Sequence, residues 1–264
     1  MSHTLPNRAK QALLPISLFF AALISVNPVH ATVLISDDFT GNSGGMPSSW
    51  SFFPPFTAGS ATESGTNVTI FDTSAEGPTL ITAGSYNPQG STTTLAVNTT
   101  SQTADSSFLV GIADTSVTNI LVAQLNADGN FRVFYSNGGP GTGTEEALGV
   151  VAGYSGGLMD MIFTFDDDSL RFTADGGAFD TGDIAYTSLS SAFDFSAFGS
   201  DVQLAVGMSS GTVDVDSVLF ETTGTGLNSG SGGGEASAVP TPAPWLLLLM
   251  TSSLIVFRSA QKEK

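Results

Sequence analysis

Between residues 33 and 221 the apolar positions come in short runs, often alternating with polar ones. Clusters of Gly, Asn, Asp and Ser cut these runs apart. Side chains that face one way at every second residue mark a strand with one buried face. Val202, Leu204, Val206 and Met208 alternate with Gln203, Ala205 and Gly207, which predicts such a strand. The same pattern, with its Val, Ile, Phe and Thr content, predicts strands over Val33–Phe39, Val68–Phe71, Thr92–Val97, Ser107–Ile112, Asn119–Leu125 and Phe131–Tyr135. Further strands are predicted over Leu148–Ala152, Leu158–Phe165, Leu170–Ala174 and Val213–Phe220. A helical period is nearly absent here. Asn126-Ala127-Asp128-Gly129 and Asp166-Asp167-Asp168-Ser169 each sit between two apolar runs and read as hairpin turns. Many short strands joined by hairpins predict an all-β fold, an antiparallel β-sandwich or barrel.

The two ends follow other patterns. Arg8 and Lys10 precede an apolar stretch from Ala12 to Val26, and Val29-His30-Ala31 offers small residues for a cut after Ala31. This is the layout of a secretory signal peptide over 1–31. Pro15 and Pro28 and the short run disfavour an uncleaved anchor. The sandwich is expected over 32–221. Residues 222–238 are rich in Gly, Ser and Thr and read as a flexible linker. Behind them, Trp245 to Phe257 form an apolar run of about 20 Å as a helix, and counting from Val239 lengthens it toward the roughly 30 Å of a bilayer core. Arg258, Lys262 and Lys264 follow on the side expected to face the cytoplasm, so 239–264 are expected to hold a single transmembrane helix.

Charge removes whole classes of chemistry. Within 32–238 there are twenty-three acids against two arginines, Arg132 and Arg171, a net of −21. That segment contains no Lys, no His and no Cys. A Ser-His-Asp triad, a thiol nucleophile, a Schiff-base lysine and a zinc site of the usual ligands are all ruled out. So acidic a surface repels phosphate backbones, so no nucleic-acid partner is expected. Carboxylate chemistry, aromatic stacking and hard cations such as calcium remain.

The tail's order of Val239-Pro240-Thr241-Pro242, apolar helix and Arg258 resembles the PEP-CTERM sorting signal of exported bacterial proteins. The resemblance covers the last 26 residues or so. Thr241 stands where that family most often has Glu. The resemblance implies an exosortase-type processing enzyme as partner and cleavage near the motif. It also implies export to the cell envelope, surface or extracellular matrix, often alongside exopolysaccharide. The middle of the chain is similar to concanavalin A-like lectin and glucanase jelly rolls. Asp37-Asp38-Phe39, Pro47, Trp50 and Asp216-Ser217-Val218 carry that likeness. It implies a jelly-roll β-sandwich whose first and last strands lie side by side.

Three sets of residues are candidates for chemistry. Trp50, Phe52, Phe53 and Phe56, around Pro54-Pro55, offer rings for stacking on sugars or for plugging an end of the sandwich. Asp37 or Asp38, brought against Asp214 or Asp216, would supply carboxylates for a structural calcium. Arg132 and Arg171 are expected to pair with nearby acids. Glu145-Glu146 reads as part of a loop, and no Glu has the spacing that glycosidases of the jelly-roll fold use. The expectation is therefore a non-catalytic exported surface or matrix protein that displays its sandwich to exopolysaccharide. A carbohydrate-active enzyme of the same fold and a purely structural matrix protein are the alternatives.

Overall fold

The computed structural model describes residues 31–224, apart from 42–43, 48, 53–58, 73–78 and 83–84. Residues 1–30 of the leader, Phe53, Phe56, Val239, Pro240, Thr241, Pro242 and Arg258 lie outside the described residues. Within them the chain is a jelly-roll sandwich of two antiparallel sheets, with strands numbered in chain order.

One sheet has seven strands. In spatial order they are β10 (Thr144–Val150), β9 (Asn130–Ser136), β8 (Ile120–Asn126), β7 (Ser107–Asp114), β15 (Val202–Ser209), β5 (Thr79–Thr82) and β2 (Trp50–Phe52). The other has nine. Its main path is β13 (Phe179–Asp180), β12 (Ser169–Ala174), β11 (Met159–Phe165), β6 (Ser91–Gln102), β16 (Gly211–Gly224), β4 (Val68–Asp72) and β3 (Ser60–Glu63). β1 (Ala31–Asp37) also pairs with β16, and β14 (Ile184–Ala185) with β12. β16 is the spine of this sheet. Along one side it meets β6 throughout; along the other it meets β4 over Gly211–Val215 and β1 over Val218–Thr223. First and last strands are therefore neighbours, as the jelly-roll resemblance implied.

The alternating pattern does the packing. Phe108, Val110 and Ile112 from β7 and Leu121 and Leu125 from β8 face Leu95 and Val97 from β6 and Phe163 and Phe165 from β11 in one core. Phe131 and Phe172 bridge the sheets as a stacked ring pair with centroids 3.7 Å apart. One end is closed by the segment after β14. There Tyr186 stacks on Phe195 at 5.4 Å, while Phe193 and Phe198 pack edge-on to their neighbours. Plugging of an end is thus done by 186–198.

Some boundaries differ from the sequence pattern. The strand expected over Leu148–Ala152 runs over Thr144–Val150 instead, so Glu145 and Glu146 are strand residues, paired in register with Phe134 and Val133. Charges on an edge strand are tolerated because one side of the strand meets water. Val151 leaves the strand and turns into the core, its N–H donating to Gly129 O at 2.8 Å. β16 continues three residues past Glu221, because Thr222 is buried at 1% exposure and its neighbours pair with β6. β2, β3, β5, β13 and β14 are two to four residues long, too short to leave a period of two in the sequence.

Candidate functional site

On the seven-stranded sheet the residues that alternate with the core set form cross-strand rows. The longest crosses all seven strands: Glu145, Phe134, Val122, Gly111, Ala205, Ile81 and Ser51, each opposite the next. Its five central members are apolar or Gly. At a strand spacing of ~4.8 Å, they make a strip about 19 Å long. Beside it runs a second row, Ala147, Arg132, Gln124, Leu109 and Gly207. On the other side lie Ser136, Ile120, Ala113 and Gln203. Ile81, Ala113, Ile120 and Ala205 form an apolar cluster of their own, separate from the core between the sheets, and Val117, Val122 and Phe134 pack against it.

The middle of the strip is closed to solvent: Ala205 and Ile81 are 5% and 6% exposed and Gly111 is buried, so its accessible members are the half-buried Phe134 and Val122. Gly111 has no room for more, since a Cβ there would sit 2.2 Å from Leu121 O and 2.7 Å from Val122 Cα on the next strand. The polar border is uneven. Arg132 NH1 donates to Glu145 Oε1, with both side chains about two-fifths exposed. This hydrogen bond holds the guanidinium more firmly in its charged form. Gln203 Nε2 donates to Thr82 O at 3.1 Å. The half-buried Gln124 amide has no hydrogen-bond partner among the described residues. Asn130 and Asp128 close the hairpin between β8 and β9, and the bond from Asn130 N–H keeps the Asp128 carboxyl below its usual range.

The two described aromatic candidates, Trp50 and Phe52, face inward. Trp50 is 5% exposed, and its Nε1–H donates to Asp37 Oδ2 at 2.9 Å. It lies 6.3 Å from the ring of Phe39 and 6.2 Å, edge-on, from that of Phe220. Phe52 is half-buried and packs on the core. Trp50 is a core residue because an indole needs an acceptor for its N–H when buried, and Asp37 supplies it.

The acid candidates are not gathered into one place. Asp37 lies opposite Val218, four residues along β16 from Asp214. Its carboxylate accepts from Phe39 N–H and Trp50 Nε1–H, both at 2.9 Å. Asp38 accepts from the backbone and hydroxyl of Thr40, which keeps its carboxyl below the usual range. Asp214 accepts from Thr69 Oγ1 and Ser101 Oγ, each at 2.6 Å. Asp216 is exposed at a break in the β16–β6 register. Among the described residues no three His, Cys, Asp or Glu side chains converge as a metal-ligand set.

Both arginines pair with acids, as expected. Arg171 Nε donates to Asp180 Oδ1 at 2.9 Å, and its NH1 lies 3.8 Å from Asp183 Oδ1. Glu146, on the inward side of β10, accepts from Ser190 N–H at 2.9 Å and Tyr135 OH at 3.1 Å. The Ser190 bond, ahead of burial, draws its carboxyl below the usual range. The outward rows of the seven-stranded sheet were missed in the sequence. The signal was present in the alternate positions Gly111, Ala113, Ala205 and Gly207, small residues in the middle of strands.

Together the two antiparallel sheets and the neighbouring first and last strands define a jelly-roll sandwich. No protein-family model matches the chain, and no curated protein matches it. Solved structures do. Beta-agarase A from Zobellia galactanivorans is similar with a TM-score of 0.57 at 9% identity, covering 74% of this chain and 93% of that one. The CBM2 module of the evolved Dit of Lactobacillus casei BL23 phage J-1 gives 0.51 at 15% identity, covering 75% and 99%. A beta-1,3-glucanase from Mycobacterium marinum gives 0.50 at 15% identity, covering 71% and 98%. At these identities the likeness is one of fold.

Proposed function

We propose that the chain is an exported, non-catalytic surface or matrix protein whose sandwich binds a polysaccharide on the outer face of the seven-stranded sheet. The observation that carries the reading is the accessible end of the strip, where the half-buried Phe134 and Val122 lie beside the Gln124 amide and Arg132. A sugar chain has apolar C–H faces and hydroxyl edges, and an apolar strip with polar groups beside it suits both. The likeness in fold to an agarase and a glucanase supports a glycan as the ligand. Export rests on the leader, the linker and the PEP-CTERM-like tail, which also make an exosortase-type enzyme the processing partner.

The same likeness favours a second reading, a carbohydrate-active enzyme. Retaining hydrolysis takes two free carboxyls about 5 Å apart. On the seven-stranded sheet Glu146 is engaged by Tyr135 and Ser190 and Glu145 by Arg132, while Asp214 on the other sheet is held by Thr69 and Ser101. That supports binding without cleavage. A glycan array, run beside assays for new reducing ends and unsaturated sugars, tests both. Binding with no new ends is the expected result. Release of sugars would make the protein an enzyme, and a blank array would leave a purely structural matrix role.

A further inference from the structure

Both cations of the segment 32–238 are already committed. Arg171 lies on the other sheet with Asp180 and Asp183. Arg132 lies on the proposed binding face, beside the strip, and its charge is met by Glu145 from the neighbouring strand. A neutral amide without a partner among the described residues, Gln124, stands between Arg132 and Leu109 in the second row. A carboxylate or sulfate brought to this face must give up water and finds no unpaired cation to replace it. It does so in the field of a segment with a net charge of −21. A hydroxyl loses little, because an amide both donates and accepts.

We infer that the Glu145–Arg132 pair is a specificity device: Glu145 cancels the one cation on the face and sets it for an uncharged polysaccharide, which Gln124 reads through its hydroxyls. This deepens the proposed function and rests on it. The pair has a position to match the role. Glu145 is directly opposite Phe134, at the end of the apolar strip, and Arg132 is two residues from Phe134 on the same side of β9. A ligand laid across Phe134 and Val122 meets the two charges together.

Native gels cast with laminarin, a neutral glucan, or with alginate, a polyuronate, read the preference with the full-length protein. The wild type should be retarded by laminarin and not by alginate. Gln124→Ala should lose the laminarin shift. Glu145→Gln leaves Arg132 unpaired and should gain an alginate shift that fades as salt is added. Arg132→Gln in the Glu145→Gln background should abolish that gain, which separates freed charge from altered folding. A wild type retarded equally by both polymers would overturn the inference and leave the binding face standing. So would a Glu145→Gln protein with a native melting curve and no alginate shift. No retardation by laminarin, agarose or alginate in any form would instead remove the binding face itself.

Discussion

Asp37 holds two things at once. One oxygen accepts the N–H of Phe39, a non-glycine residue at φ 51°, and the other accepts the indole N–H of Trp50. Phe39 is fully buried, so burial offsets the cost of its left-handed backbone. Asp37→Ala leaves two donors without partners and should cost about 1–3 kcal/mol. Trp50→Ala opens a cavity among Phe39 and Phe220 and should cost about 3–5 kcal/mol. Urea unfolding of both variants checks the order, with Trp50→Ala the weaker protein. Gly111→Ala is a third test, because its Cβ would press on the backbone of β8; a loss of about 1–3 kcal/mol is expected. The sequence showed Asp37 and Trp50 as residues of interest. Their roles were hidden because a Trp beside prolines reads the same whether its ring faces water or core. Asp38 and Asp214 were hidden likewise, since a row of letters does not show which oxygens the neighbouring hydroxyls take.

At the level of elements, β10 and the 186–198 segment depend on each other through Glu146. Its carboxylate accepts from Ser190 and from Tyr135, whose hydroxyl in turn accepts from Ser191 N–H at 3.1 Å. Because these bonds depress the folded-state pKa, the stabilisation is complete above the ordinary Glu range, ~4.3. It is lost as pH falls through the lower folded value. Melting temperatures of the wild type and Glu146→Gln, followed from pH 7 down to pH 3, should differ at the top and converge at the bottom. A constant gap would mean the carboxylate's charge is not what pins the segment. Long strands with strict alternation, such as β15 and β11, were legible because each buries one full face. The short strands and the 186–198 plug were not, since Phe193, Phe195 and Phe198 follow no period and their burial is decided by the open end they fill.

For the whole molecule, charge and topology act together. A net of −21 on 32–238, with no disulfide within it, strains the compact state by self-repulsion. Added salt should raise the melting temperature of residues 31–224 steadily, a shift that differential scanning calorimetry would record. The far-UV spectrum should be that of a β-protein throughout. The last strand runs on to Gly224, past the Glu221 at which the composition change begins, since its pairing with β6 continues there. Which outward residues of the seven-stranded sheet stay accessible was not legible, because Ile81, Ala113, Ile120 and Ala205 pack into a buried cluster of their own.

The pairing of the first strand with the last has one more consequence. Ala31 stands opposite Thr223, so the two ends of the sandwich are neighbours across a single pair of strands. A short glycine bridge between them should be tolerated, and the chain can then be opened elsewhere. The exposed turn at Ala104–Asp105 between β6 and β7 suits the new ends, and opening it frees Asp105 from its positive φ of 61°. Such a circular permutant should keep the native spectrum and cooperative melting. It would turn the most distant pairing in the chain into a local hairpin, and it should therefore refold faster than the native order of strands.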